Sequence, residues 1–280
     1  MDQLIAKAAT LLEALPYVQR FRGETFVTKY GGSFMDSDDP ATRSGVARDI
    51  VFLEAVGINP VVVHGGGKAI TKALANAGLE TQFEQGYRVT TTESVKVVEQ
   101  VLSHEVNPGI VGMINELGGK ARGFSGTEIF RCQPFRPLGQ AGEPIDIGLV
   151  GEVTEVNTAP LLECIEQDIT PVISPTATGE DGQIYNCNAD VAAGQAAVAL
   201  RPKRLVYMSD VPGLLQNPDD PASVISHLPV AEVEALKNSG VISKGMIPKV
   251  DSAVRAVTAG VEKVFFIDGR MNHSLLLEIF

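Results

Sequence analysis

Five short, nearly unbroken apolar runs constrain this chain most: TFVTKYGG (25–32), VVVHGGG (61–67), ITPVIS (169–174), RLVYMSD (204–210) and EKVFFID (262–268). A strand with one face in water alternates apolar and polar residues. Runs without that alternation predict strands covered on both faces. Helical periodicity fills the stretches between them, so the chain predicts an α/β fold built on a mostly parallel open sheet. The segments 78–90 and 132–156 are rich in turn residues and read as hairpins inserted at the sheet rim. Without an internal repeat, a low-complexity linker or a sharp compositional break, the pattern favours two lobes sharing one sheet and meeting near residues 175–180.

Before the first strand, Leu4, Ile5, Ala8, Leu11, Leu12 and Leu15 fall on one face of a helix that Pro16 is expected to end. Such a helix either packs on its own domain or forms a contact between copies of the chain. Composition narrows the partners. The 23 Lys and Arg against 34 Asp and Glu leave a formal charge of −11, which argues against nucleic acid or an anionic membrane. An anion site must therefore be built locally. Cys132, Cys164 and Cys187 are irregularly spaced and lack paired histidines, so they suggest neither a disulfide framework nor a zinc site. No signal-peptide core or membrane-length apolar stretch is present, and a cytoplasmic protein is expected.

In open parallel sheets, ligands bind beyond the carboxyl ends of the strands, where helix N-termini aim unpaired N–H groups. Gly65, Gly66 and Gly67 follow one predicted strand and open a helix, and Gly31 and Gly32 follow another. Either cluster alone serves a tight turn as well as a ligand, and two together favour a ligand. HGGGKA has Ala69 where a Walker A loop needs Ser or Thr, and KYGGSF lacks the GxGxxG spacing, so neither nucleotide motif applies. Lys29 stands at a strand end beside a glycine pair. Lys249 follows Pro248 in a predicted first helical turn, where a cation opposes the helix dipole unless an anion is also present. In YNCNADVAAG (185–194), Asn186, Asn188 and Asp190 alternate, which in an extended segment would put them on one face before a helix. Asp190 either caps that helix or fixes the positions of two lysines.

Taken together, KYGG (29–32), VVVHGGG (61–67), GYRVT (86–90), NCNAD (186–190), SDVPG (209–213), GMIPKV (245–250) and IDGRMNHSLLLEIF (267–280) resemble the acetylglutamate kinases of the amino acid kinase family. The match runs from about Leu15 to the last residue. The resemblance implies an α/β/α sandwich, with a helix over 1–20 acting as an oligomer contact, an amino-acid lobe over 21–175 and an ATP lobe over 176–280. It implies phosphorylation of the γ-carboxylate of N-acetyl-L-glutamate by ATP, with Mg2+ arriving on the nucleotide. Lys29 and Lys249 then match the lysines that stabilise the transferring phosphoryl group, and Asp190 the carboxylate that organises them. Gly66, Gly67, Arg88 and Asn186 match the residues holding the acetylated amino acid, with Arg88 on its α-carboxylate. Gly32, Asp210, Gly213, Lys244, Gly245 and Met246 match the nucleotide side, with Gly32 and Gly66 adding backbone donors. The attacking carboxylate is ionised near neutral pH and needs no general base, so His64 is expected to be structural.

The N-terminal helix resembles that of arginine-inhibited relatives. It implies a homo-oligomer, dimer or hexamer, with arginine as feedback inhibitor and a PII-type signalling protein as a further partner. FSGTE (124–128) departs from the family pattern, in which a Lys-Asp pair is expected. Two alternatives stand beside this expectation: a kinase for glutamate or aspartate, which GYRVT with NCNAD disfavours, and a non-catalytic arginine-sensing scaffold, which the retained Lys29, Asp190 and Lys249 disfavour.

Overall fold

The structure is a computed structural model and describes residues 1–31, 40–139, 141–217, 219–243 and 245–279. Its strands are β1 (Thr25–Tyr30), β2 (Asn59–His64), β3 (Phe83–Glu84), β4 (Tyr87–Arg88), β5 (Ala121–Phe124), β6 (Phe130–Pro134), β7 (Val150–Val156), β8 (Thr170–Ile173), β9 (Thr176–Gly179), β10 (Ile184–Cys187), β11 (Arg204–Ser209) and β12 (Lys263–Asp268). Its helices are α1 (Asp2–Phe21), α2 (Pro40–Ala55), α3 (Gly67–Asn76), α4 (Thr92–Val101), α5 (Asn107–Glu116), α6 (Gly126–Ile129), α7 (Ala159–Glu166), α8 (Ala189–Leu200), α9 (Val233–Asn238), α10 (Met246–Thr258) and α11 (Ser274–Leu277). The five apolar runs form strands of one six-stranded sheet in the order β12-β11-β1-β2-β8-β5, and every neighbouring pair is parallel.

Parallel strands buried on both faces present alternate residues to two separate cores. Val27, Val61, Val63, Leu205 and Tyr207 enter one core with residues of α7, α8 and α10. Phe26, Tyr30, Val62, Val206 and Met208 enter the other with residues of α2, α5 and α11. The sheet is thus the middle layer of an α/β/α sandwich, and its strands come from both halves of the chain.

The segment 78–90 contains the two-stranded hairpin β3-β4. The segment 132–156 does more than make a rim hairpin: β6 pairs antiparallel with β7, and β9 and β10 complete a closed four-stranded barrel with them. Residues on both sides of position 175 therefore share that barrel.

Pro16 does not end α1, which runs on to Phe21. Proline removes one N–H from the interior of a helix, yet here Tyr17 and the fully buried Phe21 dock the last turn onto the sheet's second core. The remainder of α1 stands away from its own domain, with Leu4, Ile5, Leu11 and Leu12 all at least 60% exposed.

Candidate active site

Lys29, next to last in β1, shares a face of the sheet with Val63 on β2 and Tyr207 on β11, its partners in register. Over that face lie the first turns of α8 and α10. The extended segment before α8 ends at Cys187, and Asn188 caps the helix by accepting the backbone N–H groups of Asp190 at 2.8 Å and Val191 at 3.3 Å. With the cap supplied by Asn188, Asp190 lies inside the first turn and its carboxylate is free to meet cations. Lys29 Nζ is 3.3 Å from Asp190 Oδ1, and Lys249 Nζ donates to Oδ2. Residues 220 positions apart in the chain thus meet on one carboxylate.

Lys29 and Asp190 are buried, at 8% and 7% exposure. Burial pulls the Lys29 ammonium below its ordinary value against the attraction of Asp190, and Lys249 adds to the fall. Burial pushes the Asp190 carboxyl up, but the charges of Lys29 and Lys249 together win and hold it below the usual carboxylate range. Two ammonium groups on one carboxylate leave one formal positive charge within a protein of net charge −11. Asp190 Oδ1 accepts no aligned hydrogen bond despite the nearby lysine. Such a net positive cluster can receive an anion.

The two glycine loops lie side by side next to it. Gly65 N–H donates to Tyr30 O at 2.7 Å, and a Cβ on Gly65 would reach within 3.6 Å of Gly31 Cα. A Cβ on Gly31 would sit 2.7 Å from Lys29 Nζ, so only glycine there leaves the ammonium its place. A Cβ on Gly66 would come 2.7 Å from Leu102 Cδ2, in the π-helical turn Leu102–Val106 that joins α4 to α5. Gly67 begins α3 and has open space around it. Gly32 lies outside the described residues.

Arg88, buried at the end of β4, ties the hairpin to α3. It donates to Gly67 O at 3.0 Å, Thr71 Oγ1 at 2.9 Å and Thr81 Oγ1 at 3.2 Å, and its guanidinium lies over the Phe83 ring. Asn186 on β10 donates to Thr90 Oγ1 at 3.1 Å. His64 is fully buried, and burial lowers its pKa to about 4. Gly65 O, 2.8 Å from Nδ1, can only accept, so Nδ1 carries the proton and Nε2 accepts from Asn107 Nδ2 at 3.2 Å. A neutral imidazole so engaged has no catalytic proton to exchange, in line with the structural role expected for it.

On the other side of the cluster, Asp210 follows β11 at the surface, and its charge pulls Lys29 upward. Gly213 is buried at φ 144°, against Phe266 O and Val224. Gly245 caps α10 without a side chain, and Met246 packs against the small core of Leu214, Val233, Ile242 and Val250. Lys244 lies outside the described residues. Among the described residues, no group of three or more His, Cys, Asp or Glu side chains is placed to hold a metal. Sequence reasoning passed over Ser252, which donates to the Asp190 carbonyl oxygen, and Tyr207, which donates to Ser252. Ser252 follows Lys249 by three residues, a helical spacing that could have drawn attention to it.

The amino acid kinase family model matches residues 24–268. An acetylglutamate kinase of Akkermansia muciniphila is 49% identical over 282 residues, covering 100% of this chain and 94% of its own length. One from Carboxydothermus hydrogenoformans is 45% identical over 285 residues, covering 100% and 96%. Among solved structures, the N-acetylglutamate synthase of Neisseria gonorrhoeae, complexed with coenzyme A and N-acetyl-glutamate, superposes with a TM-score of 0.81 at 24% identity. That likeness is one of fold; it covers 98% of this chain, which spans 61% of the synthase chain. With the family's pattern matched across nearly all of its length, and with full-length relatives at this identity, the chain belongs to the amino acid kinase family, among the acetylglutamate kinases.

Proposed function

We propose that this protein transfers the γ-phosphoryl group of ATP to the γ-carboxylate of N-acetyl-L-glutamate, giving N-acetyl-L-glutamyl 5-phosphate and ADP, a step of arginine biosynthesis. The observation that carries the proposal is the meeting of Lys29, Asp190 and Lys249 on one buried carboxylate beside two glycine loops. Both reactants are anions, so the reaction needs cations held in place before they arrive. Lys29 and Lys249 neutralise charge on the moving phosphoryl group, Asp190 holds the two ammonium groups apart at a fixed spacing, and the backbone around Gly32 and Gly66 donates N–H groups. The carboxylate nucleophile is already ionised, so alignment and charge neutralisation supply the catalysis.

Gly66, Gly67, Arg88 and Asn186 hold the acetylated amino acid in this reading, with the Arg88 fork on its α-carboxylate. Asp210, Gly213 and the segment 244–246, with Lys244, Gly245 and Met246, line the nucleotide side. We assign Mg2+ to the nucleotide, where it shields phosphate charge; Asp190, taken up by two lysines, is a poor metal ligand. We assign residues 21–175 to the amino-acid lobe and 176–280 to the ATP lobe, with the barrel of β6, β7, β9 and β10 shared across that boundary; the setting is cytoplasmic in the same reading, and no helix among the described residues is long and apolar enough to cross a membrane. The exposed apolar face of α1 supports a homo-oligomer, dimer or hexamer, in which that face is covered. Inhibition by arginine and docking of a PII-type protein are parts of the same proposal.

The test is acyl-phosphate formation with MgATP, trapped by hydroxylamine. N-acetyl-L-glutamate is expected to react much faster than glutamate or aspartate. Equal rates with all three would overturn the substrate assignment, and no product from any would overturn the activity.

A further inference from the structure

A chain of buried hydroxyls runs behind the charged cluster. Tyr207 on β11, the register partner of Lys29, donates from its hydroxyl to Ser252 Oγ at 2.9 Å. Ser252 lies on α10, three residues after Lys249 and on the same side of the helix, and donates in turn to the carbonyl oxygen of Asp190 at 3.2 Å. Tyr207 is fully buried and Ser252 is 2% exposed. Burial pushes the tyrosine pKa further up, so the phenol stays a donor.

The contact exists because α8 carries glycine one turn after Asp190. A Cβ at Gly194 would lie 1.8 Å from Ser252 Oγ and 3.0 Å from the Tyr207 hydroxyl. The sequence therefore keeps α8 bare where α10 and β11 insert their hydroxyls. The result is a closed circuit: β1 presents Lys29, β11 beside it presents Tyr207, α10 joins Tyr207 through Ser252 to Asp190, and Asp190 returns to Lys29 and Lys249. Each element that carries a charge of the cluster is fixed to the next by a buried bond.

We propose that Tyr207 and Ser252 are positioning residues that set the distance between the first turns of α8 and α10, and so hold Asp190 and Lys249 in their transition-state geometry. The proposal rests on the phosphoryl-transfer reading of the cluster. A group that acts by placing Lys249 affects the step in which charge moves and leaves ground-state binding nearly intact. Removing either hydroxyl breaks the same chain, so the second removal adds little to the first.

Ser252→Ala, Tyr207→Phe and the double variant test this by steady-state kinetics on protein shown to be folded by circular dichroism. Ser252→Ala is expected to lower kcat about tenfold with KM for N-acetyl-L-glutamate and MgATP within about twofold of wild type. The double variant is expected to match Ser252→Ala within about twofold. Wild-type kcat in Ser252→Ala, losses that multiply in the double variant, or a loss confined to KM would each overturn the proposal. A readout that needs no turnover separates it from the activity assignment: the pKa of the Asp190 carboxyl, followed by carbon NMR. It is expected to rise in Ser252→Ala as Lys249 loosens, and an unchanged value would overturn the positioning role even if the substrate were another anion. Failure of the wild type to make acyl phosphate would count against the activity alone.

Discussion

Lys29, next to last in β1, and His64, last in β2, lie one step apart in register, and both are buried, yet the protein treats them in opposite ways. Lys29 faces the layer of α8 and α10, where Asp190 and Lys249 make its charge part of a cluster. His64 is opposite Tyr30, whose ring enters the core with α2 and α5; burial keeps its imidazole neutral, and Gly65 O and Asn107 fix its tautomer. Strand pleating alone separates the two faces. The difference teaches that burial at the strand ends is no pointer by itself; a charge kept against its desolvation cost by an opposed carboxylate is the stronger one.

The comparison breaks most severely at Asp190. In Asp190→Ala the two ammonium groups lose their anion, and turnover is expected to fall by about three orders of magnitude, with stability lower by roughly 3 kcal/mol. Urea unfolding and hydroxamate trapping measure the two; unaltered stability would mean that the buried charges are not held by Asp190. Gly31→Ala probes the same face more gently. Its methyl displaces Lys29 Nζ, and kcat is expected to drop about tenfold with little change in unfolding midpoint. Turnover at the wild-type level would show that the ammonium does not need that place.

On the His64 side, turnover is expected to stay within about twofold in His64→Gln, with no change in the shape of the kcat–pH profile between about pH 6 and 9. The stability profile should change instead. Folding lowers the His64 pKa from 6.5 to about 4, so between those values the unfolded chain binds more protons than the native one. Stability therefore rises with pH across that window and is lost as pH falls through it, by about 3 kcal/mol in all. His64→Gln is expected to flatten that slope in urea titrations at pH 4.5, 5.5 and 6.5. A kinetic inflection that disappears with His64 would instead give it a catalytic proton.

What the sequence made legible follows from range. Four of the sheet strands could be read because burial on both faces makes each nearly continuous in apolar residues, and β12, a half-buried edge strand, because it still carries the apolar run VFFI. β5, with Arg122 and Gly123 among its four residues, lies at the sheet edge and lacks that signature. The barrel shows only one hairpin in the local pattern, because the pairing of β6 with β9 and of β7 with β10 joins segments that no local pattern relates. Pro16 misled because its local effect on the helix ladder was outweighed by docking of Tyr17 and Phe21. At the site, Lys29, Asp190 and Lys249 were legible through motifs, whereas their convergence depends on three elements meeting over one sheet face. Tyr207 and Ser252 carried no motif at all, since a tyrosine in an apolar strand and a serine in a helix are ordinary.

The central claim is that Lys249, held by Asp190 opposite Lys29, acts on charge that exists only during transfer. Steady-state kinetics of Lys249→Ala with N-acetyl-L-glutamate and MgATP test it most directly. The account predicts that kcat falls by at least about a hundredfold while both KM values stay within about threefold of wild type; wild-type kcat, or a loss carried wholly by KM, would contradict it.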